Sequence, residues 1–574
     1  MTEISSYIAA LPHIPDDLTL ARFMLDYQHP FKPIRYGIPC LIEDKTGRQL
    51  SIEQLREDTQ RLAGTLHHVY HIGENDVVMI FSPNHVDYPT VLWATFKLGG
   101  IVSCSNPQFT AAELSNQLMT SKASFVIGHS SNIDTALSAA HLAGLSSDRV
   151  ILLDERSPRK GNLVMPSVQE LIHESQYQAF PFQERMLEPG EGKTKVALLS
   201  WSSGTTGKPK AVAISHHALI ANVIQMAVHN QVGKAYSPRG SRSFRPGDVA
   251  IGVLPFYHVA GLVIGLHFAL FCAMSVVVVE KYNILNTLES IVRHRITHLI
   301  VVPPQAIDLC KHPAVGSHDL SLVKYVMIGA APLSREIQFQ LYDVFPDAQI
   351  GQAYGLTEMT TTLAMIEGTQ KRSPLGSGGR LLPGVEARVI KPDGSLAQCG
   401  EQGELIVKGP AAALGYLNDD QATKETFVNG WIRTGDQVSI SESNEVFVVD
   451  RLKELLKVRG FQVAPAEIEG CLLAHPDITD CCVIGIPDEY SGELPFAYIV
   501  LSPDAHERTA FDVSAETELK LSIVKYIADR KVSYKQLKGG VQVVDQIPKN
   551  GSGKLLRRLL RKRAKEHSKL RARL

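Results

Sequence analysis

The strongest constraint on the fold is an alternation of strand-length apolar runs with longer amphipathic stretches. The run VVMIFSP (Val77–Pro83) is followed by a helical pattern as far as Gly100 and then by the run IVSCSNP (Ile101–Pro107). A second series begins at Ile296 and leads to a predicted helix over Arg335–Val344. Because such alternation is typical of strand–helix–strand units, it predicts an α/β fold with largely parallel sheets.

The pattern changes after about residue 380, where short strands such as QGELIVKGP are separated by Gly and Pro. The stretches KPDG and SESNE have the composition of hairpin turns. After about residue 450 strands mix with charged helices, and 574 residues are too many for one core. We therefore predict two domains. Residues 1–450 form a large N-terminal domain of parallel α/β sheets plus a small β-rich layer, and residues 451–574 form a smaller α+β domain.

Charge and cysteine usage exclude several classes of protein. The net charge is −1, whereas a nucleic-acid-binding protein usually has a basic excess. The eight cysteines are scattered and form no CxxC pair, which argues against a metal site. Most have apolar neighbours, as is typical of core residues in a reducing compartment.

One apolar stretch, residues 259–279, reaches the ~20 residues that a membrane span requires. It contains His267, however, and it ends in a β-branched run over Val276–Val279. This pattern favours a buried helix followed by a buried strand. The N-terminus lacks the basic region and the long apolar core of a secretory signal. We therefore predict no transmembrane segment.

The loop SSGTTGKPKA (Ser202–Ala211) combines glycines, hydroxyls and lysines, as a polyphosphate-binding loop requires. It is not a Walker A loop, because the glycine spacing differs and Pro209 stands where a magnesium-binding hydroxyl is needed. The flanking runs VALLSW and AVAIS both have strand character, and Ser215 is placed to cap a following helix. The loop therefore joins two strands.

The same loop resembles the signature [ST]SGTTGxPKG of the adenylate-forming superfamily of AMP-dependent synthetases and ligases. Four further motifs follow in the superfamily's order: QAYGLTEMT, RTGDQ, VDRLKELLKVRGFQVAPAEIE and IPKNGSGKLLRR. The resemblance extends from about residue 30 to about residue 565. It is closest to 4-coumarate–CoA ligase-like acyl-CoA ligases, and a fungal peroxisomal member of that branch is one alternative.

The resemblance implies a reaction in two halves. A carboxylate attacks the α-phosphate of ATP and gives acyl-AMP and pyrophosphate, and the thiol of coenzyme A then displaces AMP. Both halves build negative charge at phosphorus or at a carbonyl oxygen, so both need positioned cations and N–H donors. ATP, Mg²⁺ and coenzyme A are the expected ligands.

The resemblance also implies a set of nucleotide-binding residues. Tyr354 is expected against adenine, Asp436 on the ribose hydroxyls and Thr357 at the α-phosphate. Glu358 and Thr206 are the expected magnesium ligands. The full nucleotide set is Ser202, Ser203, Gly204, Thr205, Thr206, Gly207, Lys208, Lys210, Gly329, Ala330, Ala331, Gln352, Ala353, Tyr354, Gly355, Asp436, Arg451 and Lys554.

Two lysines are implied as catalytic residues of the two halves. Lys554 resembles the lysine that bridges the carboxylate and the α-phosphate during adenylation. Lys457 resembles the lysine used after the small, mobile C-terminal domain has rotated for thioester formation. Lys453 stands at the position of the family's hinge.

His258 resembles the gate between the acyl pocket and the pantetheine channel. The acyl pocket is expected to be lined by Phe256, Tyr257, His258, Ala260, Gly261, Ile264, Gln305, Gly329 and Ala353. Because these residues are mainly apolar and include no Arg or Lys, we predict a hydrophobic monocarboxylic acid as the substrate.

Two positions depart from the family's pattern. Ala211 replaces a glycine after the loop lysine, which is tolerated if its backbone is extended. Ala353 replaces the glycine usual before the tyrosine, and its methyl group borders the acyl pocket. This second change leaves aryl-propenoic, medium-chain fatty and polyketide-derived acids all open.

The same residues bear on several rival activities. Amino-acid-activating domains carry an Asp near the position of His258, and FYHVAG has none. Luciferase-like oxidation after adenylation stays open. The full set of catalytic lysines argues against a non-enzymatic ATP-binding protein, and the lack of a convincing span argues against a membrane transporter.

The last three residues, Ala572, Arg573 and Leu574, resemble the small–basic–leucine tripeptide that the peroxisomal import receptor reads. The internal SKL at 568–570 has no free carboxylate to be read. This tail predicts a peroxisomal location, with the cytoplasm as the alternative.

Overall fold

The structure is a computed structural model that describes residues 4–5, 11–154, 165–177, 182–202, 209–233, 244–459, 461–488, 490–510, 512–550 and 553–571. Its helices are α1 Leu20–Leu25, α2 Ile52–His68, α3 Tyr88–Lys97, α4 Ala111–Ser121, α5 Ile133–Leu142, α6 Val168–Tyr177, α7 His216–His229, α8 Ala269–Phe271, α9 Ile284–Arg293, α10 Pro303–Lys311, α11 Arg335–Val344, α12 Asp420–Thr426, α13 Pro465–Leu473, α14 Pro503–Thr509, α15 Val513–Ala528 and α16 Arg557–Arg571.

The strands form three sheets. In chain order they are β1 Ile4–Ser5, β2 Leu41–Glu43, β3 Gln49–Leu50, β4 Val77–Phe81, β5 Ile101–Ser105, β6 Ala123–Gly128, β7 Val150–Leu152, β8 Val196–Ser202, β9 Lys210–Ser215, β10 Val249–Gly252, β11 Ser275–Val278, β12 His298–Val301, β13 Tyr325–Ile328, β14 Gln349–Leu356, β15 Thr361–Met365, β16 Ser377–Leu381, β17 Glu386–Ile390, β18 Gly403–Lys408, β19 Gly415–Tyr416, β20 Phe427–Val428, β21 Trp431–Ile440, β22 Glu445–Arg451, β23 Leu456–Val458, β24 Phe461–Val463, β25 Ile478–Asp488, β26 Gly492–Leu501 and β27 Gly540–Val543.

The first sheet has seven strands in the order β19-β9-β8-β5-β4-β6-β7. Its centre is parallel, and β8 and β9 form an antiparallel pair in which Ser202 faces Lys210. The phosphate-loop motif therefore does join two strands, as its flanks predict. Ser215 caps α7, since its hydroxyl accepts a hydrogen bond from the N–H of Ala218 at 3.1 Å.

The second sheet has fifteen strands among the described residues and includes the segments expected to form the small β-rich layer. Strand β14 pairs in parallel with β13 and antiparallel with β15, so the parallel part continues into the antiparallel part without a break. The register shifts between Tyr354 and Gly355. A Cβ atom at Gly355 would lie 1.5 Å from the carbonyl oxygen of Thr361, so only glycine fits at this bulge.

The apolar stretch after Val259 is a buried helix followed by a strand, as predicted. A π-helix over Ala260–Phe268 continues into α8, and β11 follows. In the part of the chain that the structure describes, no helix is long and apolar enough to cross a bilayer.

The third sheet has five strands, and all of them come from the chain from Leu456 onward. Its own apolar cluster includes Val463, Ile468, Ile499 and Ile523. The fold is thus a large N-terminal α/β domain and a smaller C-terminal α+β domain.

Most of the cysteines are core residues, as expected, and Cys399 is the exposed exception.

Candidate active site

One cavity of about 1240 Å³ lies where the strand ends of the two large sheets meet the small domain. Its wall includes residues that follow β4, β5, β10, β12 and β13, the end of β14, and a loop of the small domain. Ligands of open α/β sheets bind at this edge. The predicted residues that line it are Ser202, Lys210, Tyr257, His258, Ala260, Gly261, Ile264, Gln305, Gly329, Ala330, Ala353, Tyr354, Gly355, Thr357, Glu358, Arg451, Lys453 and Lys554.

The centre of the phosphate loop, Ser203, Gly204, Thr205, Thr206, Gly207 and Lys208, lies outside the described residues, as do Ala572, Arg573 and Leu574. The strand ends on either side of the loop, Ser202 and Lys210, line the cavity. Ala211 is extended strand and nearly fully buried, so the methyl group at this position needs no special backbone.

Three predicted site residues are placed elsewhere. Phe256 is completely buried and packs edge-on against Tyr88, with ring centroids 5.8 Å apart. Gln352 is buried and accepts a hydrogen bond from the N–H of Leu333 at 2.8 Å, so it holds the segment after β13 instead of lining the cavity. Ala331 is exposed outside the cavity, next to Ala330, which does line it.

Lys457 also lies outside the cavity, on the exposed face of β23. Its backbone N–H donates to Glu493 Oε2 at 2.8 Å. The structure therefore brings Lys554, and not Lys457, to the other predicted catalytic residues.

Tyr354, Asp436 and Arg451 form a connected polar group. The hydroxyl of Tyr354 donates to Asp436 Oδ2 at 2.7 Å, and Arg451 Nε lies 3.5 Å from Asp436 Oδ1. Asp436 is just outside the lining because these two side chains cover it. Burial raises the pKa of Asp436, and the charge of Arg451 opposes that shift.

Glu358 has a partner that the sequence did not indicate. The hydroxyl of Tyr416 donates to Glu358 Oε1 at 2.7 Å, and Lys210 Nζ lies 4.9 Å from the centre of the Tyr416 ring. Lys210 is also 3.6 Å from Asp419. Tyr416 reaches this place because β19 pairs with β9 beside the phosphate loop. Tyr416 lies in none of the sequence motifs described above, and this pairing of β19 with β9 is not local in the sequence.

His258 precedes the π-helix, and its Nδ1 accepts a hydrogen bond from the N–H of Ala260 at 3.2 Å. A Cβ atom at Gly261 would lie 2.1 Å from the carbonyl oxygen of Pro255, so the turn that presents His258 requires this glycine. Burial, and then the charge of Lys554, lower the pKa of His258 to about 4. The imidazole is therefore neutral at physiological pH.

Lys554 enters the cavity from a tight turn of the small domain. Its backbone N–H donates to Asn550 Oδ1 at 2.8 Å, and Gly553 has a left-handed φ of 79°. Burial, and then the charge of Arg451, lower the pKa of the Lys554 ammonium to about 8. A cation that is this poorly hydrated gains more than a surface lysine does from an anion bound beside it.

Comparison with known protein families agrees with this site. Residues 34–417 match the family of AMP-binding enzymes, and residues 467–554 match the C-terminal domain of AMP-binding enzymes. The chain belongs to this family. Of the predicted residues that line the cavity, only Arg451 and Lys453 lie outside these two matched ranges.

Several relatives of this AMP-binding enzyme are CoA ligases by name. The chain is 32% identical over 557 residues to a 4-coumarate–CoA ligase 1 of Narcissus pseudonarcissus. This alignment covers 96% of this chain and 94% of that protein. It is 35% identical over 529 residues to a 4-coumarate–CoA ligase 3 of Arabidopsis thaliana, and that alignment covers 91% of this chain and 88% of that protein.

A solved anthranilate CoA ligase, AuaEII, in complex with anthranoyl-AMP, has the same fold as this AMP-binding enzyme. It has a TM-score of 0.81 at 20% identity and covers 96% of this chain and 98% of the other.

Proposed function

We propose that this AMP-binding enzyme acts on a hydrophobic monocarboxylic acid. The enzyme converts an acid and ATP to acyl-AMP and pyrophosphate and transfers the acyl group to coenzyme A, so it is an AMP-forming acid–CoA ligase. The observation that supports the mechanism best is the entry of Lys554 into the cavity that Tyr354, Thr357 and Glu358 line.

The apolar part of the cavity wall supports the choice of acid. Ala260, Gly261 and Ile264 come from the π-helix, while Ile300 and Met327 come from β12 and β13. Apolar walls with few polar groups are typical of sites for hydrophobic ligands. Tyr257 and Gln305 add a hydroxyl and an amide to this wall.

The test is a panel of acids assayed for pyrophosphate release with and without coenzyme A. Aryl-propenoic and medium-chain monocarboxylic acids should be turned over, and dicarboxylic acids of the same length should not. Preferential turnover of a dicarboxylic or amino acid would contradict the proposed substrate class.

In adenylation, the Lys554 ammonium offsets the negative charge that develops between the attacking carboxylate and the α-phosphate. Thr357 supplies a hydroxyl in the same cavity. Because the imidazole of His258 is neutral, it can move within the cavity without transferring a charge between buried and solvated surroundings. We propose that Tyr354 contacts the adenine and that Asp436 accepts hydrogen bonds from the ribose hydroxyls. When ribose binds, Asp436 must either release the hydroxyl of Tyr354 or accept from it and from the ribose together.

The residues around Glu358 fit a magnesium ion bound together with ATP. Tyr416 binds Oε1 of Glu358, and no hydrogen bond from the described residues reaches Oε2. Mg²⁺ is commonly held by one or two carboxylates plus substrate phosphates. Glu358 and Thr206 would hold the ion, which would supply positive charge to the phosphates.

The lowered pKa of Lys554 predicts how adenylation depends on pH. Because the charged ammonium is the active form, kcat/KM for ATP in pyrophosphate release should fall as pH rises through about 8. A solvated lysine would stay charged up to about pH 10.4. In Lys554→Arg the cation persists, so the alkaline limb should move beyond pH 10 even if the overall rate drops. An unchanged limb in that variant would assign the titration to another group.

We propose that thioester formation uses a second pose of the small domain, in which Lys457 replaces Lys554 in the cavity. Lys453, in the turn between β22 and β23, is the proposed hinge. The N–H of Leu452 donates to Gly435 at 3.0 Å and that of Glu454 to Arg451 at 2.9 Å, which defines the compact turn that rotation would alter. The turn supports the proposed domain boundary between residues 450 and 451.

Peroxisomal import stays a prediction from the sequence. A fluorescent protein that carries only the last twelve residues of this chain should give a punctate peroxisomal signal, because the receptor reads an exposed C-terminal tripeptide. The signal should disappear when Leu574 is deleted. A diffuse signal from the intact tail would leave the cytoplasmic alternative.

A further inference from the structure

Lys311, the last residue of α10, connects the two domains. Its ammonium donates to the carbonyl oxygens of Leu473 at 2.8 Å and of Ile478 at 3.1 Å. Leu473 is the last residue of α13 and Ile478 is the first residue of β25, so both acceptors belong to the small domain. A lysine of the large domain thus satisfies carbonyl groups at the C-terminal end of a helix in the small domain, where positive charge is favoured.

The surroundings of this contact are partly apolar. Leu473 packs against the apolar cluster of the large domain that contains Leu309 and Ile337, as well as against the small domain's own core. Burial lowers the pKa of Lys311, which reflects partial loss of water around the ammonium. Hydrogen bonds of a charged donor are stronger in such surroundings than at an open surface.

The same helix also contacts the loop that carries Lys554. Gly553 lies against Val302 and Pro304 at the beginning of α10, and a Cβ atom at Gly553 would lie 3.1 Å from Val302 Cγ2. The small domain therefore contacts α10 at both ends, through the Lys554 loop at one end and through Lys311 at the other. A third close contact, between Gly470 of α13 and Ser334 beside α11, lies at the same interface.

We propose that Lys311 is a positioning residue for adenylation: by binding the end of α13 it holds the small domain in the pose that places Lys554 in the cavity. The inference rests on the two-pose mechanism proposed above. Lys311 does not line the cavity, so it acts through the position of Lys554 and not on the reacting atoms. Rotation of the small domain would separate Lys311 from both carbonyl groups.

The test compares two methionine variants that remove the same chemistry from different places. Lys311→Met removes the inter-domain hydrogen bonds and keeps an apolar side chain of similar length. Lys32→Met is the matched control, because Lys32 donates to the carbonyls of Phe23, Met24 and Tyr27 at the end of α1, wholly within the large domain.

In Lys311→Met, the rate of pyrophosphate release should fall roughly tenfold, as expected when charged hydrogen bonds that favour one pose are lost. Thioester formation from synthetic acyl-AMP should be unchanged or faster. Hydrogen–deuterium exchange should rise at the end of α10 and at the beginning of α11. Lys32→Met should leave the ratio of the two half-reaction rates unchanged, and Lys311→Arg, which retains donors, should recover part of the loss.

If the ratio of the two half-reaction rates is unchanged in Lys311→Met, whether neither rate falls or both fall equally, the inference is overturned. These outcomes are distinct from failure of the proposed function. If the proposed function fails, the unmodified enzyme itself forms no acyl-AMP from any acid in the panel.

Discussion

The Lys554→Ala enzyme is expected to adenylate its acid at least roughly 10²-fold more slowly than the unmodified enzyme, which is the size of effect seen when one charge-stabilising donor is lost. The reason is the position of Lys554, which enters the cavity from the turn before α16 and lines it together with Tyr354, Thr357 and Glu358. Pyrophosphate release in a single turnover measures this step. Thioester formation from synthetic acyl-AMP should change far less.

A control for Lys554→Ala is available in the same loop. Lys549 pairs with Asp480 at 2.7 Å inside the small domain and does not line the cavity. Lys549→Ala should therefore keep most of the adenylation rate. Loss of both half-reactions in Lys554→Ala, or of neither, would show that Lys554 does not have the assigned role.

The Lys457→Ala enzyme should show the opposite pattern. Pyrophosphate release should remain near the unmodified rate, because Lys457 is exposed and outside the cavity in the pose observed. Thioester formation should fall by roughly 10²-fold if Lys457 supplies the positive charge for that step. The measurement is acyl-CoA formed from synthetic acyl-AMP and coenzyme A.

The control for Lys457→Ala is Lys520→Ala, which removes another lysine of the small domain that pairs with Glu516 on α15. It should leave both half-reactions unchanged. Normal thioester formation in Lys457→Ala would contradict the two-pose mechanism, whatever the result for Lys554.

Much of the fold could be predicted from the sequence because periodicity and turn composition are local signals. The strands on both sides of the phosphate loop, the Ser215 cap and the buried helix after Val259 were all predicted in this way. The continuity of the second sheet could not be predicted from the sequence, because strand pairing depends on non-local hydrogen bonds. Nothing in the segment around Gly355 shows which two strands β14 will join.

Two predicted site residues are buried beside the cavity and do not line it. Gln352 lies within β14, where successive side chains point to opposite sides, so it is buried while Ala353 lines the cavity. Phe256 lies in the turn after β10 and is buried against Tyr88, while the next residue, Tyr257, lines the cavity. Tyr416 reaches Glu358 through the pairing of β19 with β9, which no local pattern indicates. Motif matching identifies the segment, and the backbone direction decides which side chains line the cavity.

The order of the two half-reactions can be measured in a single turnover without coenzyme A, followed by its addition. With Mg²⁺, ATP and an acid from the panel, we expect a burst of about one pyrophosphate per active site and an enzyme-bound acyl-AMP. Coenzyme A added to that complex should yield acyl-CoA and AMP in the same amount. Formation of ADP and orthophosphate, or no pyrophosphate until coenzyme A is present, would contradict adenylation of the acid as the first half-reaction.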